Sequence, residues 1–278
     1  MSSLDRMLRL LDLFAAERPS WSAEQAIART GYSRSTVYRY FRSLAAAGLV
    51  APGPDGVYTL GPAVIGLDRV IRLYDPLLTA ARPHLAELAR ALGLVAVAAP
   101  YREQILVTHV EAGSGQLPPA ELARGHAADL FDSAAARVLL AHEAPRRLRR
   151  LHDIQAPAIA RAGLGATWNA FRQALKVQRR VGFAVHIGSG PLGELRVAVP
   201  VFAEGERVIA ALAAPAGVQE AAHVGEMLIR SARRISAAMQ DQGADRPSTP
   251  SALSASWRPS SPLLRAVAPM TAERGRLA

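Results

Sequence analysis

Apolar and polar positions alternate along this chain with three different rhythms. The first is helical. Leu4, Met7, Leu8, Leu10, Leu11 and Phe14 fall on one face and predict an amphipathic helix over Leu4–Glu17. A second, shorter helix is marked by a capping box, Ser22-x-x-Gln25, followed by Ala23, Ala26 and Ile27, and Gly31 ends it. A third begins at Ser33, a good N-cap, carries Val37, Phe41 and Leu44 on one face, and stops where Gly48 supplies a left-handed residue. The rhythm then shortens to that of strands. Leu49-Val50 and Val57–Leu60 flank a Pro-Gly-Pro-Asp-Gly loop whose Asp55-Gly56 is a strong turn dipeptide.

After Gly61-Pro62 the pattern becomes unusually greasy. Val64, Ile65, Leu67, Val70, Ile71 and Leu73 leave only Asp68, Arg69 and Arg72 for a polar face on a helix over Ala63–Tyr74. Such a helix needs cover from a neighbour or a partner chain. The remainder reads as a helix Pro76–Leu92, strands Val95–Ala99 and Ile105–Glu111, and a loop over 113–132 holding at most one strand. Helices Ser133–His142, Pro145–His152 and Ala166–Val181 follow. Strands Phe183–Ile187, Leu195–Phe202 and Arg207–Ala213 precede a last helix, Glu220–Met239. Strands and helices mixed in this way predict an α+β domain with a largely antiparallel sheet. Asp241–Ala278 is rich in Pro and Ser and reads as a disordered tail.

The polar face of the third helix gives the chemistry. Arg34, Ser35, Thr36, Tyr38, Arg39 and Arg42 stand opposite the apolar face, with no acidic residue anywhere in Tyr32–Val50. Arginine grips guanine with two bonds and hydroxyls reach phosphates, so this face suits a DNA groove. A short helix, a glycine turn, a second helix with basic and polar residues at its start and a following hairpin define a winged helix-turn-helix. The candidate DNA-binding residues are Ser22, Ser33, Arg34, Ser35, Thr36, Tyr38, Arg39 and Arg42.

Composition adds less. The formal net charge of +10 favours polyanionic partners, but residues 1–60 hold seven Arg against five acids, so the excess is spread along the chain. All basic residues but Lys176 are arginine. Aromatics are 5% of the chain, so its cores must be built from Ala, Leu and Val. The absence of cysteine excludes disulfides, thiol catalysis and cysteine zinc sites. Leu8–Phe14 is broken by Arg9 and Asp12, and no stretch approaches a membrane span, so the expectation is a cytoplasmic protein without membrane partners.

The order of these elements resembles the IclR family of bacterial transcriptional regulators over residues 4–240. The resemblance rests on SRSTVYRYFRSLAAAGLV, the following YTLGPAVIGL, and the later GFAV and RVAVPVFAEGERVIAAL. It implies a winged domain over 1–60, a linker and dimerisation helix over 61–75, and a GAF-like effector-binding domain over 76–240. It further implies a homodimer or homotetramer on a pseudopalindromic double-stranded operator, repression, a small organic acid as effector, and neither cofactor nor catalysis. The effector positions carried over are His126, Ser133, Ala134, Ala135, His186, Arg196 and Ala213. Here the chain departs from the family. His186-Ile187-Gly188-Ser189-Gly190 replaces the usual acidic loop, Arg196 stands where Cys or Ser is common, and Ala213 and Pro215 replace serines. Two readings stay open. Either Arg196 faces the pocket and pairs with a carboxylate, or the pocket is degenerate and ligand-blind, since a one-residue slip would turn Arg196 to the other sheet face.

Other features carry blander meanings. Gly188–Gly193 matches GxGxxG, but Pro191 interrupts it and a strand follows, so it reads as a loop. The seven histidines lack metal-ligand spacing and no Ser-His-Asp set assembles. Arg146, Arg147, Arg149 and Arg150 read as a solvated helix face, and Trp21 and Trp168 as packing residues.

Overall fold

The computed structural model describes residues 2–115, 117–187, 195–203 and 207–244. They fall into two compact units that meet in sequence at Asp75 and Pro76.

In the first unit the capping signals do what their chemistry predicts. Helix α1, Ser3–Leu8, starts on Ser2. A capping box on Ser22 opens α2, Ala23–Thr30, and Gly31 closes it at φ 71°. The Ser33 hydroxyl accepts the Thr36 amide at the head of α3, Arg34–Ala46, and Gly48 follows at φ 69°. Strands β2, Val50–Pro52, and β3, Val57–Leu60, form the wing. The expected helix over Leu4–Glu17 is corrected. After Leu8 the chain tightens into a 3-10 turn, Arg9–Leu13, and stops there, with the Leu13 carbonyl taken at 2.8 Å by the Trp21 indole rather than by a helical amide. Trp21-Ser22 then forms a third strand, β1, paired with β3. Leu10, Ala26, Val37, Phe41 and Leu44 make the core, and Phe41 stacks on Tyr58 at 4.2 Å, which fixes the wing to α3. Gly61 is dictated by crowding, since a Cβ there would run into the Gly48 carbonyl. Helix α4, Pro62–Tyr74, has no buried residue, and Ile65 is 75% exposed.

The second unit is GAF-like. Strands β4 (Leu94–Tyr101), β5 (Gln104–Ala112), β6 (Ala127–Asp129), β7 (Ala184–Ile187), β8 (Leu195–Phe202) and β9 (Val208–Ala216) form one antiparallel sheet in the order β6-β5-β4-β9-β8-β7. Strand alternation sorts its two faces. Val197, Val199 and Val201 turn toward α5, Pro76–Leu92, and α9, Ala221–Ala244. Ala184, Ala198 and Ala213 turn toward α6, Ala134–Ala141, and α8, Trp168–Val181. Ala184, Ala198, Ala213 and Ala96 lie in one register row across four strands. That row of methyl groups leaves room above it for the α6 N-terminus.

Two boundaries differ from expectation. Helix α7, Pro145–Arg161, is broken by a kink at Gln155, two residues ahead of Pro157, so a second helical segment follows the one expected over Pro145–His152. Helix α9 continues through Ala244, beyond Met239 and into the expected tail. Residues 245–278 of that tail, and the GxGxxG match at Gly188–Gly193, lie outside the described residues.

Candidate functional site

Helix α3 presents Arg34, Ser35, Tyr38, Arg39 and Arg42 to solvent, with Thr36 half-buried. The N-cap ties its first turn together: the Ser33 hydroxyl donates to Thr36 Oγ1 at 2.8 Å and lies 3.3 Å from Ser35 Oγ. Ser22 is engaged in its own cap with Gln25. Sequence reasoning missed Glu24. It projects from the first turn of α2, accepts the Tyr38 hydroxyl at 2.8 Å and lies 3.7 Å from Arg34. Its own backbone amide, then Tyr38 and Arg34, hold its carboxyl below the usual range. The face that has no acid in its own helix therefore borrows one from the neighbouring helix. Arg39 and Arg42 have no carboxylate partner among the described residues, and the Arg39 guanidinium lies 5.6 Å from the Tyr40 ring centre.

In the second unit a cavity of about 320 Å³ lies between the sheet and the segment 121–135. Among the expected residues, His126, Ser133, Ala134, Ala135, Arg196 and Ala213 line it. Ser133 caps α6 by accepting the Ala136 amide at 3.0 Å, so the cavity meets the positive end of that helix. Register puts Arg196 on this side, because it shares the parity of Ala198. Its side chain is only 12% exposed. One terminal nitrogen donates to Glu121 at 3.4 Å, a long contact, and its Nε has no acceptor among the described residues. Glu121, Asp129 and Asp132 also line the cavity from its exposed side and were not anticipated.

His186 lies just behind the cavity wall and is not among the residues that line it. Edge strand β7 lies outside the strands that do, and the ring faces Asp132, with Nε2 3.0 Å from Oδ1 but off a hydrogen-bond direction. Burial first, then the Arg137 charge, holds its pKa below the ordinary histidine value, with Asp132 opposing and Arg196 adding slightly. Arg137 is itself partly buried, with its guanidinium donating to the Ala162 carbonyl.

The remaining candidates fit their bland readings. Arg147 and Arg149 pair with Glu143 and Asp153 along α7. Trp21 is buried, and Trp168 packs against the core beside Phe171. No group of three or more His, Asp or Glu among the described residues could hold a metal. No described helix is long and apolar enough to cross a membrane.

A winged helix-turn-helix joined in one chain to a GAF-like unit with a cavity beside its sheet defines a class, the DNA-binding transcriptional regulator. Residues 3–54 match the IclR helix-turn-helix domain, and residues 74–237 match the bacterial transcriptional regulator IclR C-terminal domain. The chain belongs to the IclR family. Among solved structures it is similar to an IclR homolog from Microbacterium hydrocarbonoxydans complexed with 4-hydroxybenzoate, at 24% identity and TM-score 0.72, covering 86% of this chain and 99% of that one. It is similar also to an IclR family transcriptional regulator from Brucella abortus, at 21% identity and TM-score 0.70, covering 86% and 92%. A regulator from Alicyclobacillus acidocaldarius matches at 24% identity and TM-score 0.70, covering 85% and 98%. No curated protein matches significantly.

Proposed function

We propose that this IclR-type regulator binds a pseudopalindromic operator as a homodimer and that a small organic acid, seated on Arg196, sets its operator affinity. In this reading residues 1–60 bind DNA, 61–75 link and dimerise, and 76–240 sense the acid. The observation that carries the effector reading is the Arg196 side chain, nearly buried in a cavity wall with its Nε unsatisfied among the described residues. A buried guanidinium short of acceptors favours a carboxylate that offers two. Ser133 and the head of α6 add donors to the same cavity. Asp129 and Asp132 in the cavity wall favour a ligand that also carries a hydroxyl donor. A hydroxyaryl acid has both features, and the Microbacterium homolog was crystallised with one.

On the DNA side, Arg34, Ser35, Thr36, Tyr38 and Arg39 read bases. Arg42 and the wing contact phosphates, and Ser22 and Ser33 steady the two helix ends. Glu24 limits where Arg34 and Tyr38 reach. The apolar flank of α4, with Ile65, Leu67, Val70 and Ile71 in solvent, is covered by a second copy of the chain. Two recognition helices then meet two half-sites.

One observation favours a second reading. Glu121 already occupies the free end of Arg196, and if it never yields, the pocket is ligand-blind and only DNA binding remains. The test is selection of operator sites from random duplexes, followed by titration at 50 and 200 mM salt with and without 4-hydroxybenzoate. The proposal expects a repeated half-site, a loss of about 10³-fold or more in affinity over that salt range, and a shift with the acid. A selected pool with no repeated half-site contradicts the DNA reading. A half-site without any effect of acid supports the ligand-blind reading.

A further inference from the structure

A second cleft, of about 380 Å³, opens on the other side of α6 from the sheet, between α7 and α8. Its floor is apolar: Ala141, Leu148 and Leu175 are all buried. Trp168, Arg172, Lys176 and Arg179 line it from α8. Their spacing places all four on one face of that helix.

The charges on this face are exposed and lie together at the mouth of the cleft. Along neighbouring α7, Arg147 and Arg149 are neutralised four residues away by Glu143 and Asp153, while Arg146 and Arg150 face away from the cleft. Along α8, Arg172, Lys176 and Arg179 have no hydrogen-bond or ion-pair partner among the described residues. Like charges at i, i+4 work against a helix rather than for it. The one carboxylate lining the cleft, Glu143, is already held 3.2 Å from Arg147. The field of Arg179 reaches His142 at the end of α6, where it adds to burial in disfavouring a second positive charge. Lys176 is also the single lysine in a chain that otherwise uses arginine throughout.

An apolar floor, an indole in the wall and a row of three unneutralised cations at the mouth describe a receptor for a flat hydrophobic ring bearing an anionic group. We propose that this cleft is a second ligand site, separate from the Arg196 cavity, for an aryl phosphate or aryl carboxylate. The ring lies over Leu148 and Leu175 against Trp168, and the anion meets Arg172, Lys176 and Arg179. Both ligand sources share this chemistry, and the phosphate is favoured because it offers three acceptors to three cations.

The test is titration of the full chain with 1-naphthyl phosphate, 1-naphthoate and inorganic phosphate, with the wild type beside three variants. Arg172→Gln/Lys176→Gln removes two cations from the cleft. Arg180→Gln removes an exposed charge of the same helix that does not line it. Arg196→Ala disables the other cavity. Protection of the Lys176 amine from trinitrobenzenesulfonate, read on its own peptide, gives a second readout. The expected result is saturable binding of a naphthyl probe with protection of Lys176. It is weakened about tenfold or more in the double variant and unchanged in Arg180→Gln and Arg196→Ala, with inorganic phosphate alone far weaker. Whichever naphthyl probe binds more tightly identifies the anion. Absence of saturable binding, equal loss in Arg180→Gln, or loss in Arg196→Ala overturns the proposal.

Discussion

Arg39 and Arg196 show two ways of presenting a cation. Arg39 stands in solvent on α3, and its position follows from the helix itself, because Val37, Phe41 and Leu44 anchor the opposite face. Nothing beyond the first unit is needed to aim it. Arg196 is placed by sheet register and sits 12% exposed beside a carboxylate from a distant loop. The exposed arginine costs little to keep charged and contributes little until a polyanion arrives. The nearly buried one is costly to hide, and its nearest anion among the described residues, Glu121, lies at the long end of contact distance. In the proposed reading, a site for DNA and a site for a small acid call for opposite burial of the same side chain.

The strongest way to break the comparison is to remove the anchor of the exposed site. Phe41→Ala empties the core under α3 and separates it from Tyr58, and it should cost about 3–5 kcal/mol. The expected outcome is a lost or lowered melting transition for the first unit and lost operator binding, while acid binding by the second unit persists. Calorimetry of the full chain together with an acid titration checks this. Equal destabilisation of both units would show that the sites are not independently built.

Arg39→Ala probes the exposed face directly. It should cost about 1–3 kcal/mol and relax preference at one base position per half-site. Electrophoretic or anisotropy titration against operators varied at each base reads both quantities, and unchanged affinity and preference would remove Arg39 from the interface.

Acidification sharpens the contrast from the buried side. His186 and His142 are both held below the ordinary histidine pKa, in each case chiefly by burial, with nearby arginines adding. The unfolded chain takes up protons near the ordinary value while the folded chain does not. Stability is therefore fully present above that value and is lost as pH falls through it. The second unit should melt at progressively lower temperature from pH 7 toward pH 5, and His142→Gln and His186→Gln should each flatten that slope. The first unit contains no histidine, so its transition should respond less.

The smallest effect expected is at Glu121. A partly exposed contact of 3.4 Å is worth roughly 1 kcal/mol or less, so Glu121→Gln should tighten acid binding only a few-fold. Calorimetric titration measures it, and weaker binding in the variant would show that Glu121 holds the ligand rather than competing with it.

Much of the first unit could be read before any coordinates, because its signals are local. The capping box at Ser22, the cap at Ser33 and the stops at Gly31 and Gly48 each act within one helical turn. Glu24 escaped notice because it meets Tyr38 across two helices, fourteen residues away in sequence. The same distinction explains the second unit. The effector positions came from the family resemblance rather than from periodicity, and six of the seven line one cavity. His186 does not, because edge strand β7 falls outside it, and that depends on strand order rather than on residue pattern. The acids Glu121, Asp129 and Asp132 come from a stretch whose only elements are one 3-10 turn and a three-residue strand, too short to show a periodicity that would distinguish a cavity wall from open surface. Leu4–Glu17 misled because its apolar spacing is blind to Trp21, a residue beyond the helix that takes the Leu13 carbonyl.

The central claim is that Arg196 holds the carboxylate of an effector, and one titration addresses it. The purified chain and Arg196→Ala are each titrated calorimetrically with 4-hydroxybenzoate and a panel of hydroxyaryl and aliphatic acids, with operator binding followed in parallel. The account predicts that at least one acid binds the wild type and shifts operator affinity, and that Arg196→Ala loses both responses while binding operator normally without acid. An acid that binds and switches Arg196→Ala as well as it does the wild type would contradict it.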